Sequence, residues 1–322
     1  MTLWMRGLTT LSFVCFASLL FAQEDAQTRI ARAAALKDEG NWRSSVALLE
    51  PVVEFGRNEL TPQEALVAWN LLALDYQYLG DYGKARRAFE TALSFIKPAS
   101  APARYAAVLA NFGTLQLELG QNESAQRLFL RARTLIENDT DQMALVNVNR
   151  RLATLAIAQR RYKDAKRALS EAFQKAAVAE HPQPDDLGAL YAIQSNLNLR
   201  MHDLPAALDA IQKAIDLGNQ LHGTGASVEF DAYYIIRGHI YGQLHEYQKA
   251  RDDLEIAVSD LAKNPGTDSP LYLAAESFYA DLLHQTGSKQ EASRLKKHVN
   301  STWQELRRQG CVRCTINILE FE

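Results

Sequence analysis

The stretch LGDYGKARRAFETAL, residues 79–93, keeps returning in frame: as LGQNESAQRLFLRAR, QRRYKDAKRALSEAF, MHDLPAALDAIQKAI and LHEYQKARDDLEIAV. A marker for the frame is the small residue three places after the turn aromatic. It falls at Ser45, Ala85, Ala125, Ala165, Ala207, Ala250 and Ala292, spaced 40, 40, 40, 42, 43 and 42 residues apart. Self-similarity at such a period means that one supersecondary unit is used over and over. A unit of this size cannot bury both its faces alone, so it must stack on its neighbours and share one continuous core with them.

Within each unit the apolar spacing is helical and breaks once. WNLLALDYQYL, from Trp69, ends at Gly80, and KARRAFETALSFI, from Lys84, runs on until Pro98. Gly40, Gly80, Gly120 and Gly287 stand where a first helix must stop, because glycine enters the left-handed region without a Cβ penalty. His245 takes the same place in its unit. The aromatics Trp42, Tyr82, Tyr162 and Tyr247, with Leu204 as a smaller substitute, are expected to wedge between the two helices. The marker alanine lets two backbones approach, and Phe89, Phe129, Leu169, Ile211 and Leu254 fill the space one turn on.

The set Trp69, Leu72, Tyr76, Ala85, Phe89, Ala92 and Pro98 resembles the tetratricopeptide repeat, with Gly113 and Gly238 at that family's small position in the first helix. The resemblance implies an all-α, right-handed superhelical solenoid of about seven helix-turn-helix repeats over residues 23–309, with the first helices lining a concave side. The period is longer than the family's 34 residues, and the surplus lies in turn-rich stretches such as PASAPAR, ENDTDQ and GNQLHGTGAS. Ser45 at one end and Lys289, Lys296 and Lys297 at the other suit end units with a solvated outer face.

Both ends of the chain differ from the repeats. Residues 1–22 carry Arg6 followed by the apolar run LTTLSFVCFASLLFA, too short for a comfortable membrane span; this has the form of a secretory signal peptide cut after Ala22. The expected location is therefore secreted or periplasmic, with membrane attachment only if this segment stays uncleaved. Cleavage removes Cys15 and leaves Cys311 and Cys314, a C-x-x-C pair in a tail, residues 310–322, that ends in the strand-like TINILEF. A local disulfide is the plain reading of that pair.

Function has to be argued from sites, because this architecture serves many tasks. The chain holds 35 basic and 38 acidic residues in mixed order, for a formal charge of −3, without the basic excess that phosphate recognition needs, so nucleic acid is not an expected partner. His245-Glu246 opens like a zinc-protease helix motif but meets Lys249 where the second histidine would stand. Gly223-Thr224-Gly225 lacks the remainder of a phosphate loop, and Ser227 lies in GASVE, which fails the hydrolase elbow at Glu229. No enzyme and no cofactor is expected. On the family pattern the concave face falls at Asn70 and Tyr78 in the second unit and Arg150 in the fourth, then Asn196, Arg200, His239, Gln243 and Asp281 in the last three. Amides and guanidiniums of mixed charge suit an extended protein or peptide segment. The resulting expectation is an extracytoplasmic, non-catalytic adaptor. The alternative is a redox- or metal-dependent accessory protein acting through Cys311 and Cys314.

Overall fold

The structure is a computed structural model that describes residues 25–55, 60–138, 142–179, 184–222, 228–263 and 266–308. Residues 1–22, Gly223-Thr224-Gly225 with Ser227, and Cys311 with Cys314 lie outside the described residues. Those described form fourteen α-helices and no strand, paired as seven hairpins. The first three are α1 (Ala26–Asp38) with α2 (Trp42–Phe55), α3 (Pro62–Tyr78) with α4 (Tyr82–Ser94), and α5 (Pro102–Glu118) with α6 (Asn122–Ile136). Next come α7 (Gln142–Ala158) with α8 (Tyr162–Val178) and α9 (Pro184–Arg200) with α10 (Leu204–His222). The last two are α11 (Val228–Gln243) with α12 (Tyr247–Lys263), and α13 (Pro270–Gln285) with α14 (Lys289–Arg308).

Every hairpin turns on one residue with a positive φ: Gly40, Gly80, Gly120, Arg160, His202, His245 and Gly287. These positions keep the 40-, 40-, 40-, 42-, 43- and 42-residue spacing of the marker. The turn bonds are those of a Schellman motif: Gly80 N–H donates to Gln77 O at 3.0 Å and Asp81 N–H to Tyr76 O at 2.8 Å. Arg160, with φ of 58°, makes the same pair of bonds, to Ile157 O at 2.8 Å from its own N–H and to Ala156 O at 2.8 Å from Arg161. A side chain in this region costs about 1 kcal/mol relative to glycine. Arg160→Gly is therefore expected to raise the urea midpoint, by about 0.5–1 kcal/mol in stability; an unchanged or lower midpoint would show the turn unstrained.

The longer period is taken up mostly by helix. GNQLHGTGAS is turn-rich by composition, yet α10 runs on to His222, so Gly218 is helical. A Cβ there would lie 2.0 Å from Phe230 Cε2, so close packing of α10 on α11 requires the glycine. Within each hairpin the marker alanines and the large residues one turn on are buried: Ala85, Phe89, Ala125 and Phe129 are all 0% exposed. Trp42 and Tyr82 are wedged as the pattern implies, while Tyr162 and Tyr247 are only half-buried.

Ser45 does not face solvent, contrary to the end-unit expectation. It is fully buried, with Oγ 2.6 Å from Asp75 Oδ2 and 3.0 Å from Ala33 O. A hydroxyl has one proton, and both acceptors are satisfied only if a protonated Asp75 donates to Ser45 and Ser45 donates to Ala33. Burial pushes the Asp75 carboxyl up to about 7, against the opposing effects of the Ser45 hydroxyl and the charge of Lys37. A raised folded pKa contributes stability below the unfolded value of 3.8 that is lost as pH rises through about 7. Asp75→Asn is expected to flatten this slope, gaining on the parent protein at pH 8 and losing that advantage by pH 4 in urea titrations. Parallel profiles for the two proteins would refute it.

Consecutive first helices pack directly on one another, α1 on α3 and so on to α11 on α13, whereas second helices are bridged by long side chains such as Arg133 to Glu171 at 3.0 Å. Elements converge on the inside of a curve, so the first helices form the inner face. The curvature brings the ends together. Arg43 pairs with Asp268 at 2.8 Å, and Leu306, 6% exposed, sits so close to the Gly80 turn that a Cβ there would be 3.0 Å from it. A contiguous buried cluster accordingly holds residues from the first three and the last three units.

Candidate functional site

The inner face carries a ladder of polar side chains that bond across units at about the repeat spacing. Asn111 Nδ2 donates to Asn70 Oδ1 at 3.1 Å, and Arg151 donates to Asn111 Oδ1 at 2.7 Å and Thr114 Oγ1 at 3.0 Å. Two turns further along the helices, Gln77 Nε2 donates to Glu118 Oε1 at 2.8 Å. Three first helices, α3, α5 and α7, are thereby tied into one surface by neutral acceptors and a guanidinium. The surroundings are mostly protein, and burial pushes the Glu118 carboxyl up to about 8 and the Arg151 guanidinium down to about 9.

The residues expected from the sequence fall in different places. Asn70 is a rung of the ladder, and Arg150 lies beside it with Nη2 donating to Asn147 Oδ1 at 3.1 Å. Tyr78 stacks on Trp42 with ring centroids 4.4 Å apart and is 38% exposed, so part of its ring holds the first unit against the second. Asn196 is 2% exposed; it belongs to the wall and presents almost no surface to a partner. Asn111, Arg151, Gln77 and Glu118 are inner-face residues that the family pattern did not mark. Their signal was the spacing: Asn111 and Arg151 are 40 residues apart, one register step from Asn70 and Arg150.

The structure brings three more of the expected residues together at the other end of the face. His239, Gln243 and Asp281 line a cavity of about 530 Å³ between the sixth and seventh hairpins, with Phe278, His284 and Gln285. Gln243 Nε2 lies 2.8 Å from His239 Nε2, and the His239 ring stands 4.7 Å from that of Phe278 at 58°. Burial lowers the His239 pKa to about 4, Asp281 opposing this and Arg200 adding to it. His239 is therefore a neutral imidazole near neutrality, its Nε2 accepting from the Gln243 amide. Asp281 is paired with Lys296 at 2.7 Å.

Among the described residues no three His, Cys, Asp or Glu side chains gather as a metal site, and no helix is long and apolar enough to cross a membrane.

Comparison with known proteins agrees with the repeat reading. The tetratricopeptide-repeat family model matches residues 64–138, which span α3 to α6. No curated protein matches the sequence. Among solved structures, NprR in complex with its cognate peptide NprX has a TM-score of 0.65 at 9% identity, over 94% of this chain and 86% of that one. A Rap protein complexed with competence and sporulation factor gives 0.58 at 12% identity, over 88% and 99%. The Cut9–Hcn1 hetero-tetramer of the APC/C gives 0.58 at 15% identity, over 91% of this chain but 51% of that one. At such identities the likeness is one of fold. Residues 64–138 are tetratricopeptide repeats, and the described chain as a whole has the fold of a tetratricopeptide-repeat solenoid.

Proposed function

We propose that this chain is an extracytoplasmic scaffold whose inner helical face holds an extended segment of a protein or peptide and performs no chemistry on it. The observation that carries the reading is the inter-unit ladder Asn70–Asn111–Arg151, continued along the face by Arg150, His239 and Gln243. Amide and guanidinium groups in a row, spaced by a helical stack, match the alternating donors and acceptors of an extended backbone. Two of the similar solved structures, NprR and the Rap protein, were determined with a bound peptide or factor, which supports the same use of the fold. The apolar N-terminal run of residues 1–22 supports export.

Affinity capture with the tagged full chain from its native cell envelope tests the reading. Arg150, His239 and Gln243 changed together to alanine are expected to reduce partner recovery at least tenfold without lowering the melting temperature. Equal recovery would overturn the assignment of the face. N-terminal sequencing of the envelope-borne protein is expected to begin at Gln23, and a start at Met1 would overturn the cleavage.

A further inference from the structure

Glycine inside a helix costs about 1 kcal/mol relative to alanine, so each one calls for a reason. Three have an obvious one. A Cβ would lie 2.4 Å from Phe129 at Gly113, 2.0 Å from Phe230 at Gly218 and 2.8 Å from Leu254 at Gly238. Gly242 has no such reason. It lies in the last turn of α11, it is not among the residues with positive φ, and a Cβ added there meets nothing within 4 Å. What Gly242 does is line the cavity between the sixth and seventh hairpins, where any side chain would project into the open space.

The walls of that space define what fits. Gly238, Leu254 and Leu282 are buried and apolar. Phe278 and His239 present two tilted rings, and Tyr247 contributes a third aromatic. Gln243 and Gln285 supply amides at the mouth, and the one carboxylate, Asp281, is neutralised by Lys296. The imidazole of His239 is uncharged and Asp281 already has a counterion, which favours a neutral side chain over an ion there. Tilted rings at this separation accept a further ring edge-to-face.

We propose that the cavity at Gly242 receives an aromatic side chain of the bound segment and anchors that segment at the C-terminal end of the inner face. This rests on the inner face being the segment-binding surface. Such a pocket fixes register: the polar ladder is repetitive and reads backbone, whereas one aromatic seat selects where along a partner the grip begins.

The probe is N-acetyl-L-phenylalaninamide, titrated into the isotope-labelled full chain and followed by amide chemical shifts, with the glutamine, lysine and glutamate amides as controls. Saturable shifts are expected in α11 and α13 for the phenylalanine probe, at least tenfold tighter than for any control. Gly242→Leu, which fills the space, is expected to weaken this binding at least tenfold while the melting temperature holds or rises, since leucine is the better helix former. Gly242→Ala, adding one methyl, is expected to do the same by a smaller factor and guards against misfolding of the leucine variant. Equal shifts for all four probes, or unchanged binding in both variants, would overturn the proposal. Because the probe is a single residue, its binding is independent of partner capture. A filled cavity that leaves capture and register untouched would remove the anchor alone, and failed capture with intact probe binding would remove the scaffold reading alone.

Discussion

Phe129→Ala is expected to lower the unfolding free energy by about 3–5 kcal/mol, the range for removing a fully buried phenylalanine. Phe129 is 0% exposed in the core of the third hairpin, between Ala125 and Ala132 on α6 and the first helices α5 and α7. Its ring lies against Gly113, where a Cβ would come within 2.4 Å of Cε1 and 2.7 Å of Cδ1. The ring cannot swing aside in a packed core, so Gly113→Ala alone is expected to cost about 1–3 kcal/mol from overpacking. The two changes are complementary, since the alanine methyl enters part of the space the ring leaves. A urea double-mutant cycle is expected to show the pair at least 1 kcal/mol less destabilised than the sum of the singles. Strict additivity would mean that the contact does not limit how closely α5 and α6 approach. Because stacked units lean mainly on their neighbours, hydrogen exchange is expected to quicken in α5 to α8 before it does in the outer units.

That contact also shows why the architecture was legible. Glycine at 113 and phenylalanine at 129 are two halves of one close approach, and the same halves recur along the chain as Ala73 with Phe89 and Gly238 with Leu254. A pattern that states the same packing rule in six of seven units leaves few alternatives. The turns were less fully legible. Glycine announces a left-handed residue by its type, and His245 could be placed by frame, but Arg160 and His202 adopt φ near 60° because the surrounding Schellman bonds hold them there. The composition of GNQLHGTGAS left open whether a helix lengthens or a loop grows there; Phe230, twelve residues on, shows Gly218 to be a packing glycine.

The inner face was legible only in outline. Asn70 and Arg150 lie on a row that the period identifies, but the bonds zigzag to the next row, through Asn111 and Arg151, because side chains on adjacent curved helices lean toward each other rather than straight inward. Asn196 shares the pattern position of His239 and Asp281, yet it is buried where they line the cavity. The meeting of the two ends was not legible at all. Each step rotates the stack slightly, and whether Leu306 reaches the Gly80 turn depends on six such rotations added together, to which no residue type bears witness.

Arg237→Met is expected to be comparably severe, and its severity should depend on pH. Arg237 on α11 grips Asp253 on α12 with two bonds, at 2.8 and 2.7 Å, and donates to Gln212 on α10 at 2.8 Å, so that one side chain ties the fifth unit to the sixth. Its guanidinium also lies over the rings of Tyr234 and Tyr241. Both members of the pair are sheltered, with side chains 16% and 6% exposed. Burial raises the Asp253 carboxyl, and Arg237 is what holds it down. Methionine keeps the apolar stem and removes the charge, leaving a carboxylate without its counterion; breaking a buried pair in this way costs about 3–5 kcal/mol. The orphaned Asp253 can escape the penalty only by taking up a proton. With a folded pKa raised further above the unfolded value, its contribution is favourable in acid and is lost as pH rises. The deficit of Arg237→Met against the parent protein is therefore expected to be greatest at pH 8 and to shrink toward pH 4 in urea titrations. Adding Asp253→Asn to the variant is expected to recover much of the pH 8 loss. A deficit that stays constant with pH, or a double variant no better than the single, would show that the pair acts through packing and hydrogen-bond geometry and not through its charge.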